Sequence, residues 1–584
     1  MANIDASVNS LFAHVGNPSG AVFPYNKMVE FIPDSAGSIY STDQMSRVEC
    51  LLRQARKHPF DNPHPTSLFP FGDECFIGTG TIINHGLADG SAGNENEEIL
   101  LQLLPYWLEE VERYDAFSIA EHWGHQFIGA YEISSKYQPL LDRVRLAKLR
   151  TSSLLNSRAT QFSRSAHYMG SKAFLAPYLA EIVHTLSPAT TVILDLMCGS
   201  GAASGYFSRE WRTLASDAQQ FSRLLAKVQG GGLSGDRAAT IAEAVLTEAR
   251  IRYAALPDCF LKAVEIESDF LSSELTPDVL GELYKWISSY PRVNNLGEIS
   301  NQDYSSVLGF LGLDENSSQY LLFSTYYANL FFGVRQAAEI DCLRGAIGQM
   351  QNAQERDWAL GALICATSSC AYSYGGHFAQ PKYDGVSEER LRILAADLVV
   401  SRGLSVSHEF FVRLTSLGEE SEKNRHDVES LEGPWQTAID KASASVGDAV
   451  TCVYLDPPYT RDEYSRYYHI LETLVRYDYP SVQDKASMPK RGQAGRFASA
   501  FATRNTMVIE DMIVEIIERI LGNGWSCLWS YSSTGVASVD KILKRLSKDD
   551  RKISVFGMTH SYKGQGKHKA KAVREYAVMI QHMK

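Results

Sequence analysis

One short stretch of the sequence constrains the fold more than any other. It begins with the apolar run Thr191–Leu196, continues through the glycine turn Cys198–Gly201 and enters the helix-forming residues Ala202–Arg209. A second apolar run, Arg212–Ser216, then ends at Asp217. A buried strand, a glycine turn, a helix and a second strand that ends in an acid predict the start of a parallel α/β sheet.

The sheet pattern resumes far along the chain. The apolar run Thr451–Leu455 is followed by Asp456-Pro457-Pro458-Tyr459. A carboxylate and an aromatic ring at the end of a buried strand can hold a planar amino group and stack on its ring. Further strands are predicted at Trp525–Ser530, Ile553–Met558 and Tyr576–Gln581, the last two as a hairpin at the far edge of the sheet.

The glycine turn predicts a ligand site. It reads Asp195-Leu196-Met197-Cys198-Gly199-Ser200-Gly201, so the backbone can approach a ligand closely and the next helix points its N-terminus at it. The turn is not GxGxxG and lacks a GK[ST] ending, which favours a nucleoside without phosphates over a dinucleotide or ATP. Asp217, at the end of the next strand, is placed to accept ribose hydroxyls. The alternative is a plain glycine turn beside a surface aspartate.

The chain of 584 residues is long enough for several domains. We expect an N-terminal domain of unknown role over residues 1–155, a first sheet part over 156–235, a mostly helical insertion over 236–424 and a second sheet part over 425–584. The insertion contains the loop Tyr372–Phe378, in which adjacent glycines precede a histidine. Glycines there allow backbone to approach a ligand.

Composition limits the class of protein. The net charge of -12 argues against a surface that binds nucleic acid throughout, but it allows a basic cleft. Nine cysteines form no CxxC pair, so we expect reduced thiols and no metal site. No run of 18 apolar residues and no signal-peptide layout appear, which predicts a cytoplasmic protein without contact to a membrane. Basic clusters lie at Arg143–Arg150, at Lys485–Arg504 and from Lys541 to Arg574.

Three motifs in this order resemble one enzyme family. They are His167-Tyr168-Met169-Gly170-Ser171-Lys172, the Asp195–Gly201 turn and the Asp456–Tyr459 tetrapeptide. In them the chain resembles the S-adenosylmethionine-dependent adenine-specific DNA methyltransferases of the Dam-like (alpha) group, which have a DPPY motif. The resemblance covers residues 160–235 and 425–584, and it implies a Rossmann-like class I methyltransferase sheet.

The resemblance also implies roles for single residues. Tyr168, Gly170 and Lys172 would hold the methionine end of S-adenosylmethionine. The glycine turn, with Asp195, Cys198, Gly199, Ser200 and Gly201, would line the donor pocket. Asp217 would bind the ribose, and Asp427 would contact the adenine ring of the donor.

At the catalytic motif, Asp456 and the Pro457 carbonyl would accept the amino hydrogens of a target adenine, beside Pro458, and Tyr459 would stack on its ring. The partner would be double-stranded DNA with a flipped adenine. Tyr464, Tyr467 and Tyr468 are candidates for lining its pocket, and a role in the core is the alternative.

Three readings of the function stay open. The first is site-specific DNA adenine-N(6) methylation, within a restriction-modification or phage-defence system associated with the prokaryotic nucleoid. The second is the same chemistry on RNA or on the cytosine amino group. The third is a non-catalytic DNA-binding subunit that keeps the fold. A protein partner would contact the N-terminal region or the insertion.

Overall fold

The computed structural model describes residues 171–584, apart from gaps at 174, 274–275, 295–304, 315–318, 383–386, 460–462, 494, 498, 533, 549, 563–570 and 584. The predicted N-terminal domain (1–155) lies outside the described residues, as do Tyr168, Gly170 and the basic cluster Arg143–Arg150.

The strands of the described chain form one sheet. They are β1 (Val192–Asp195), β2 (Arg212–Ser216), β3 (Val428–Leu431), β4 (Thr451–Leu455), β5 (Ser526–Ser532), β6 (Arg551–Tyr562) and β7 (Lys571–His582). Their spatial order is β3-β2-β1-β4-β5-β7-β6. Strands β1 to β5 run parallel, and β7 is antiparallel to both of its neighbours.

Helices before β3 are α1 (Ala176–Leu186), α2 (Ala202–Phe207), α3 (Gln220–Val228), α4 (Gly235–Ala254), α5 (Asp258–Ser272), α6 (Pro277–Ser289), α7 (Leu322–Tyr326), α8 (Val334–Gly348), α9 (Ala353–Cys370), α10 (Glu388–Gly403) and α11 (Val406–Ser421). Those after it are α12 (Trp435–Val446), α13 (Tyr464–Tyr467), α14 (His469–Arg476), α15 (Thr506–Gly522) and α16 (Val539–Leu546). Within the described ranges, no helix combines the length and apolar character needed to span a membrane.

Alternate residues of the central strands pack against two helical layers. Ile193 and Tyr454 belong to a core that includes α1 and Phe207 of α2. Leu194 and Val453 face the other side, where α12, α15 and α16 cover the sheet. Because both faces are buried, the strands read as continuous apolar runs rather than alternating ones. The predicted α/β class is confirmed, and the sheet is consistent with a methyltransferase fold.

The connections reverse direction between β1 and β4. From β1 the chain leads outward to β2 and β3, whereas β4 lies on the other side of β1 and leads to β5. In an open parallel sheet, ligands bind in the crevice at the carboxyl ends of the two strands at such a switch point. Those two ends precede the glycine turn and the Asp456–Tyr459 tetrapeptide.

The helices between β2 and β3 form a large core that reaches the segment after the tetrapeptide. Asp341 of α8 is buried and accepts hydrogen bonds from the backbone N–H groups of Phe323 and Ser324, at 2.8 Å each, and from the hydroxyl of Tyr477. In the Tyr372–Phe378 loop, Phe378 exchanges hydrogen bonds with that segment: its N–H donates to the Tyr467 carbonyl, and its carbonyl pairs with His469 Nε2. The loop therefore packs against another part of the chain, and its histidine, His377, is buried.

Two parts of the fold differ from what the sequence indicates. Strand β3 was not predicted, because Val-Glu-Ser-Leu is short and polar, as suits an edge strand that is exposed along part of its length. The residue spacing over Gln319–Asp341 indicates one helix, whereas the structure has two, α7 and α8, separated by a buried turn at Asn329, whose φ is 53°. The sequence does not reveal the turn, because the aromatic residues of the turn are buried like those of the helices beside it.

Candidate active site

A cavity of about 360 Å³ lies at the switch point of the sheet. Its walls come from the turn after β1, the end of β2, the start of α12, the tetrapeptide after β4 and the segment from 497 to 501. The volume falls within the range of small-molecule sites, roughly 300–1,000 Å³.

The glycine turn is held by close backbone packing. Gly199 and Gly201 adopt φ angles of 51° and 74°, which favour glycine. A Cβ atom on Gly201 would lie 2.5 Å from the Cα of Ala226 in α3. The side chain of Gln229 closes the turn from the same side, donating to the Ser200 carbonyl at 2.8 Å. The turn is therefore fixed in shape by its packing against α3 and Gln229.

Asp217 lies where the sequence predicts, beyond the end of β2. Its carboxylate accepts the backbone N–H groups of Gly199 at 3.0 Å and Gln219 at 2.9 Å. Burial raises the pKa of this carboxyl, and the two N–H groups oppose the rise. Asp217 therefore ties the glycine turn to β2 and also lines the cavity.

Asp195 has one satisfied and one unsatisfied oxygen. Oδ2 accepts a hydrogen bond from Ser204 Oγ at 2.6 Å, whereas Oδ1 is buried and has no hydrogen-bond partner among the described residues. Burial raises the pKa of Asp195 to about 7, against the opposing hydrogen bond from Ser204. A buried acceptor without a donor is costly. Because Asp195 lines the cavity, a donor group of a ligand can satisfy it.

Asp456 is held by side chains from three separate parts of the chain. Oδ1 accepts hydrogen bonds from the hydroxyls of Tyr459 at 2.5 Å and Ser530 at 2.7 Å, and Oδ2 pairs with Lys172 Nζ at 2.9 Å. Burial raises the pKa of Asp456, and Lys172 opposes the rise. A carboxylate has about four acceptor sites, so these three contacts leave one for a substrate.

Lys172 lies beside the tetrapeptide. Burial alone would lower the pKa of its ammonium, but the carboxylates of Asp456 and Glu575 outweigh that effect and the pKa is raised. The ammonium also lies 4.5 Å from the ring centroid of Tyr459. Lys172 therefore stays charged and contacts both ends of the tetrapeptide.

The ring of Tyr459 packs against β5, and its backbone is bonded to the turn that follows β5. It meets the ring of Tyr531 edge to face at 5.2 Å between centroids, and the Val536 N–H donates to the Tyr459 carbonyl at 3.0 Å. A Cβ on Gly535 would approach the Tyr531 ring to 2.3 Å, so this turn needs glycine. The sequence alone did not predict this support.

A segment from Pro489 to Phe501, here called the rim segment, forms one wall of the cavity. Buried Arg496 pairs with Glu463 at 3.2 Å and donates to the Pro489 carbonyl, so it holds this segment in place. The Ser465 hydroxyl donates to the carbonyl of Phe497, a residue that lines the cavity. Arg496 is thus a structural member of the predicted basic cluster, whose exposed members are Lys485, Lys490, Arg491 and Arg504.

Most of the predicted site residues meet in this cavity. Those that line it are Lys172, Asp195, Cys198, Gly199, Ser200, Asp217, Asp456, Pro457, Pro458, Tyr459 and Tyr464. Gly201 lies directly behind the turn, against α3. Burial raises the pKa of the Cys198 thiol well above its usual value, so the thiol stays protonated and is not a nucleophile.

The structure does not bring Asp427 to the cavity. Asp427 precedes β3, and β3 runs parallel to β2 with Val428 beside Thr213 and Leu431 beside Ser216. It therefore lies at the amino edge of the sheet, opposite the cavity. The residues that line the cavity beyond the carboxyl end of β3 are Gly433, Pro434, Trp435 and Gln436. The sequence Gly433-Pro434-Trp435 after a strand would have indicated these residues, but strand β3 was not predicted.

The sequence is similar to two curated proteins. It is 22% identical over 427 residues to the type II methyltransferase M.FokI of Planomicrobium okeanokoites, which covers 71% of this chain and 52% of the relative. It is 20% identical over 379 residues to the modification methylase LlaI of Lactococcus lactis subsp. lactis, covering 64% and 47%. The chain thus spans about half the length of these relatives. No protein-family model matches it.

Proposed function

We propose that this protein is a site-specific DNA adenine-N(6) methyltransferase that uses S-adenosylmethionine. The observation that carries the proposal is a single cavity in which a glycine turn with an unsatisfied buried carboxylate faces an Asp-Pro-Pro-Tyr tetrapeptide. The names of the two relatives support a DNA methyltransferase.

The donor half of the cavity fits S-adenosylmethionine. The unsatisfied Oδ1 of Asp195 would accept from the α-ammonium group of the donor, and the free carboxylate sites of Asp217 would accept from its ribose. Pro434 and Trp435 supply apolar and aromatic surface for its adenine ring. When bound, this cofactor supplies an electrophilic methyl group.

The acceptor half orients a weak nucleophile. The lone pair of an exocyclic amino group is conjugated with its ring, so the nitrogen attacks poorly in the planar form. Asp456 would accept one amino hydrogen at its remaining acceptor site, and the Pro457 carbonyl would accept the other. These contacts favour a tetrahedral nitrogen whose lone pair points at the donor half. Orientation then supplies most of the rate acceleration.

The remaining walls fit a flipped base in duplex DNA. Tyr459, Tyr464 and Phe497 offer aromatic surface beside Asp456, and a flipped base is read by stacking and by its Watson–Crick edge. Exposed Lys490 and Arg491 lie on the rim segment, where they would contact phosphates. By analogy with the relatives, we place the enzyme in a restriction-modification system.

The test is transfer of tritiated methyl groups from the donor to duplex DNA that lacks adenine methylation, followed by nucleoside mass spectrometry. We expect label in N(6)-methyladenine, and loss of at least about a thousandfold in the transfer rate for Asp456→Ala, because positioning of the amine is lost. Asp440→Ala is the matched control, since Asp440 pairs with Arg519 on the surface. Label in cytosine, label only in RNA, or full activity of the Asp456 variant would each contradict the proposal.

A further inference from the structure

One hydroxyl group lies between two carboxylates beside the cavity. The Tyr459 hydroxyl is 2.5 Å from Asp456 Oδ1 and 3.2 Å from Glu575 Oε2. A phenol has one hydrogen to donate, so it can bond to either carboxylate and can accept a proton from one as it donates to the other. This geometry is that of a proton relay.

Glu575 comes from the last strand of the sheet. It lies on β7 opposite Ser532 of β5 and is only 8% exposed. Among the described residues, the charged and titratable groups that face it include Lys172, Asp456, Tyr459 and Tyr454. Asp456 lines the cavity, whereas Glu575 does not. Because Glu575 contacts the Tyr459 hydroxyl and does not line the cavity, a substrate that covers Asp456 would not cover Glu575.

We propose that Glu575 is the terminal proton acceptor for the reacting amine, through Tyr459. This inference rests on the proposed methyl transfer. A bond forms from the amine nitrogen to the methyl carbon as the sulfur–methyl bond breaks, and the sulfur keeps that electron pair. When the Tyr459 hydroxyl turns its hydrogen from Asp456 Oδ1 to Glu575 Oε2, an acceptor site on Oδ1 becomes free. The nitrogen, now positively charged, loses a proton to this site, and the N–H electron pair stays on nitrogen.

The relay then restores Asp456. The proton passes from Asp456 Oδ1 to the Tyr459 oxygen as the original hydroxyl hydrogen passes to Glu575 Oε2. Asp456 is again a carboxylate, Tyr459 is neutral and Glu575 is a carboxylic acid that loses its proton to solvent before the next turnover. Lys172 stays paired with Asp456 Oδ2 throughout, so the step needs no change in its charge. Glu575 acts through Tyr459 and is therefore a positioning and proton-accepting residue.

The test compares single-turnover methyl transfer by the wild-type protein, Glu575→Gln, Tyr459→Phe and the double variant across pH 6–9, with donor saturating. Glutamine keeps an acceptor oxygen for the Tyr459 hydroxyl but cannot take a proton. We expect each single variant to lose about tenfold to a hundredfold in rate, as general-base and supporting contacts typically contribute. The double variant should lose no more than the worse single one, because both changes break the same relay.

Controls separate the relay from folding. Glu510→Gln alters another buried glutamate, one that accepts the Ser538 N–H and does not line the cavity, and it should keep the wild-type rate. Glu575→Asp retains a proton acceptor and should recover part of the rate that Glu575→Gln loses. Donor affinity by calorimetry should be unchanged in all variants.

The outcomes distinguish the relay from the function itself. If the wild-type protein transfers no methyl group to DNA, the proposed function fails and the relay fails with it. If the wild type is active and Glu575→Gln matches it in rate and pH profile, the relay alone is wrong. Additive losses in the double variant would likewise overturn the relay. Should Glu575→Gln not fold, an undiminished rate for Tyr459→Phe overturns the relay from its other end.

Discussion

The two loops that meet in the cavity are built in opposite ways. The turn after β1 is fixed by backbone: positive φ angles at Gly199 and Gly201, and contact of Gly201 with α3. The tetrapeptide after β4 is fixed by side chains from distant positions, Lys172 and Ser530 among them. The donor half is therefore set by local sequence and close packing. The acceptor half is an electrostatic assembly that exists only in the folded sheet.

Gly201→Ala should break the donor half most severely. The added Cβ would meet the Ala226 backbone at 2.5 Å, and the φ of 74° is unfavourable for alanine. We expect the free energy of unfolding to fall by about 4 kcal/mol, from overpacking together with left-handed strain, and donor binding to be lost. Chemical denaturation and calorimetry measure both.

The matched control is Gly524→Ala. Gly524 has a φ of 75°, and nothing lies within 4 Å of its Cβ position. Its free energy of unfolding should fall only by the cost of the left-handed backbone, about 1–2 kcal/mol. Equal losses for the two variants would show that contact with α3 does not hold the turn.

Lys172→Met should damage the acceptor half and spare the donor half. Without the ammonium, Asp456 remains buried and loses its cation, so its pKa rises further. We expect methyl transfer at pH 7 to fall about thirtyfold and its acid limb to move to higher pH, because a carboxylate with a raised pKa is protonated over more of the range. Donor affinity should change by less than about threefold.

Lys227→Met is the control, since Lys227 forms an exposed ion pair with Asp357. If Lys172→Met loses donor affinity rather than rate, Lys172 belongs to the donor site, as the resemblance implies. That result would reverse the assignment made from its contact with Asp456.

Asp195→Asn should reveal the cost of the unsatisfied carboxylate. The folded-state pKa of about 7 lies above the ordinary value of 3.8. The folded state therefore holds a proton that the unfolded chain releases, and the stability from this group is lost as the pH rises through about 7. We expect the variant without donor to be more stable than the wild type at pH 8, by at most about 4 kcal/mol, and the difference to vanish near pH 4.

Donor binding should change in the other direction. Wild-type affinity should rise with pH between 5.5 and 7.5 as Asp195 ionises, whereas Asp195→Asn should be about tenfold weaker at pH 7.5 and independent of pH. Ser204→Ala, which alters the oxygen that is already satisfied, should keep the rising profile. A flat wild-type profile would remove Asp195 from the donor contact.

Ser530→Ala should give the smallest effect. It removes one of two hydroxyl donors to Asp456 Oδ1, worth about 1 kcal/mol, so methyl transfer should fall about fivefold. Ser526→Ala, on the same strand but at its amino end, beside Thr451, should not change the rate. A larger loss than for Lys172→Met would place the main support of Asp456 on β5 instead.

Much of the sheet could be predicted from sequence because its strands are buried on both faces. Runs such as Thr191–Leu196 and Thr451–Leu455 contain few polar residues and end at turn signals, so their positions were correct. Strand β3 was not predicted because it lies at the edge of the sheet, is partly exposed and therefore contains no apolar run. The error over Asp427 follows from that omission, since a residue cannot be assigned to a strand end when the strand is unknown.

The sequence alone located the glycine turn and the tetrapeptide, because each directly follows a buried apolar run that ends at a turn signal. Only the tertiary structure decided that Lys172 pairs with Asp456 rather than facing the donor half, and that Glu575 approaches Tyr459. Those contacts join positions more than a hundred residues apart. Strand order and register set them, and no local pattern encodes either.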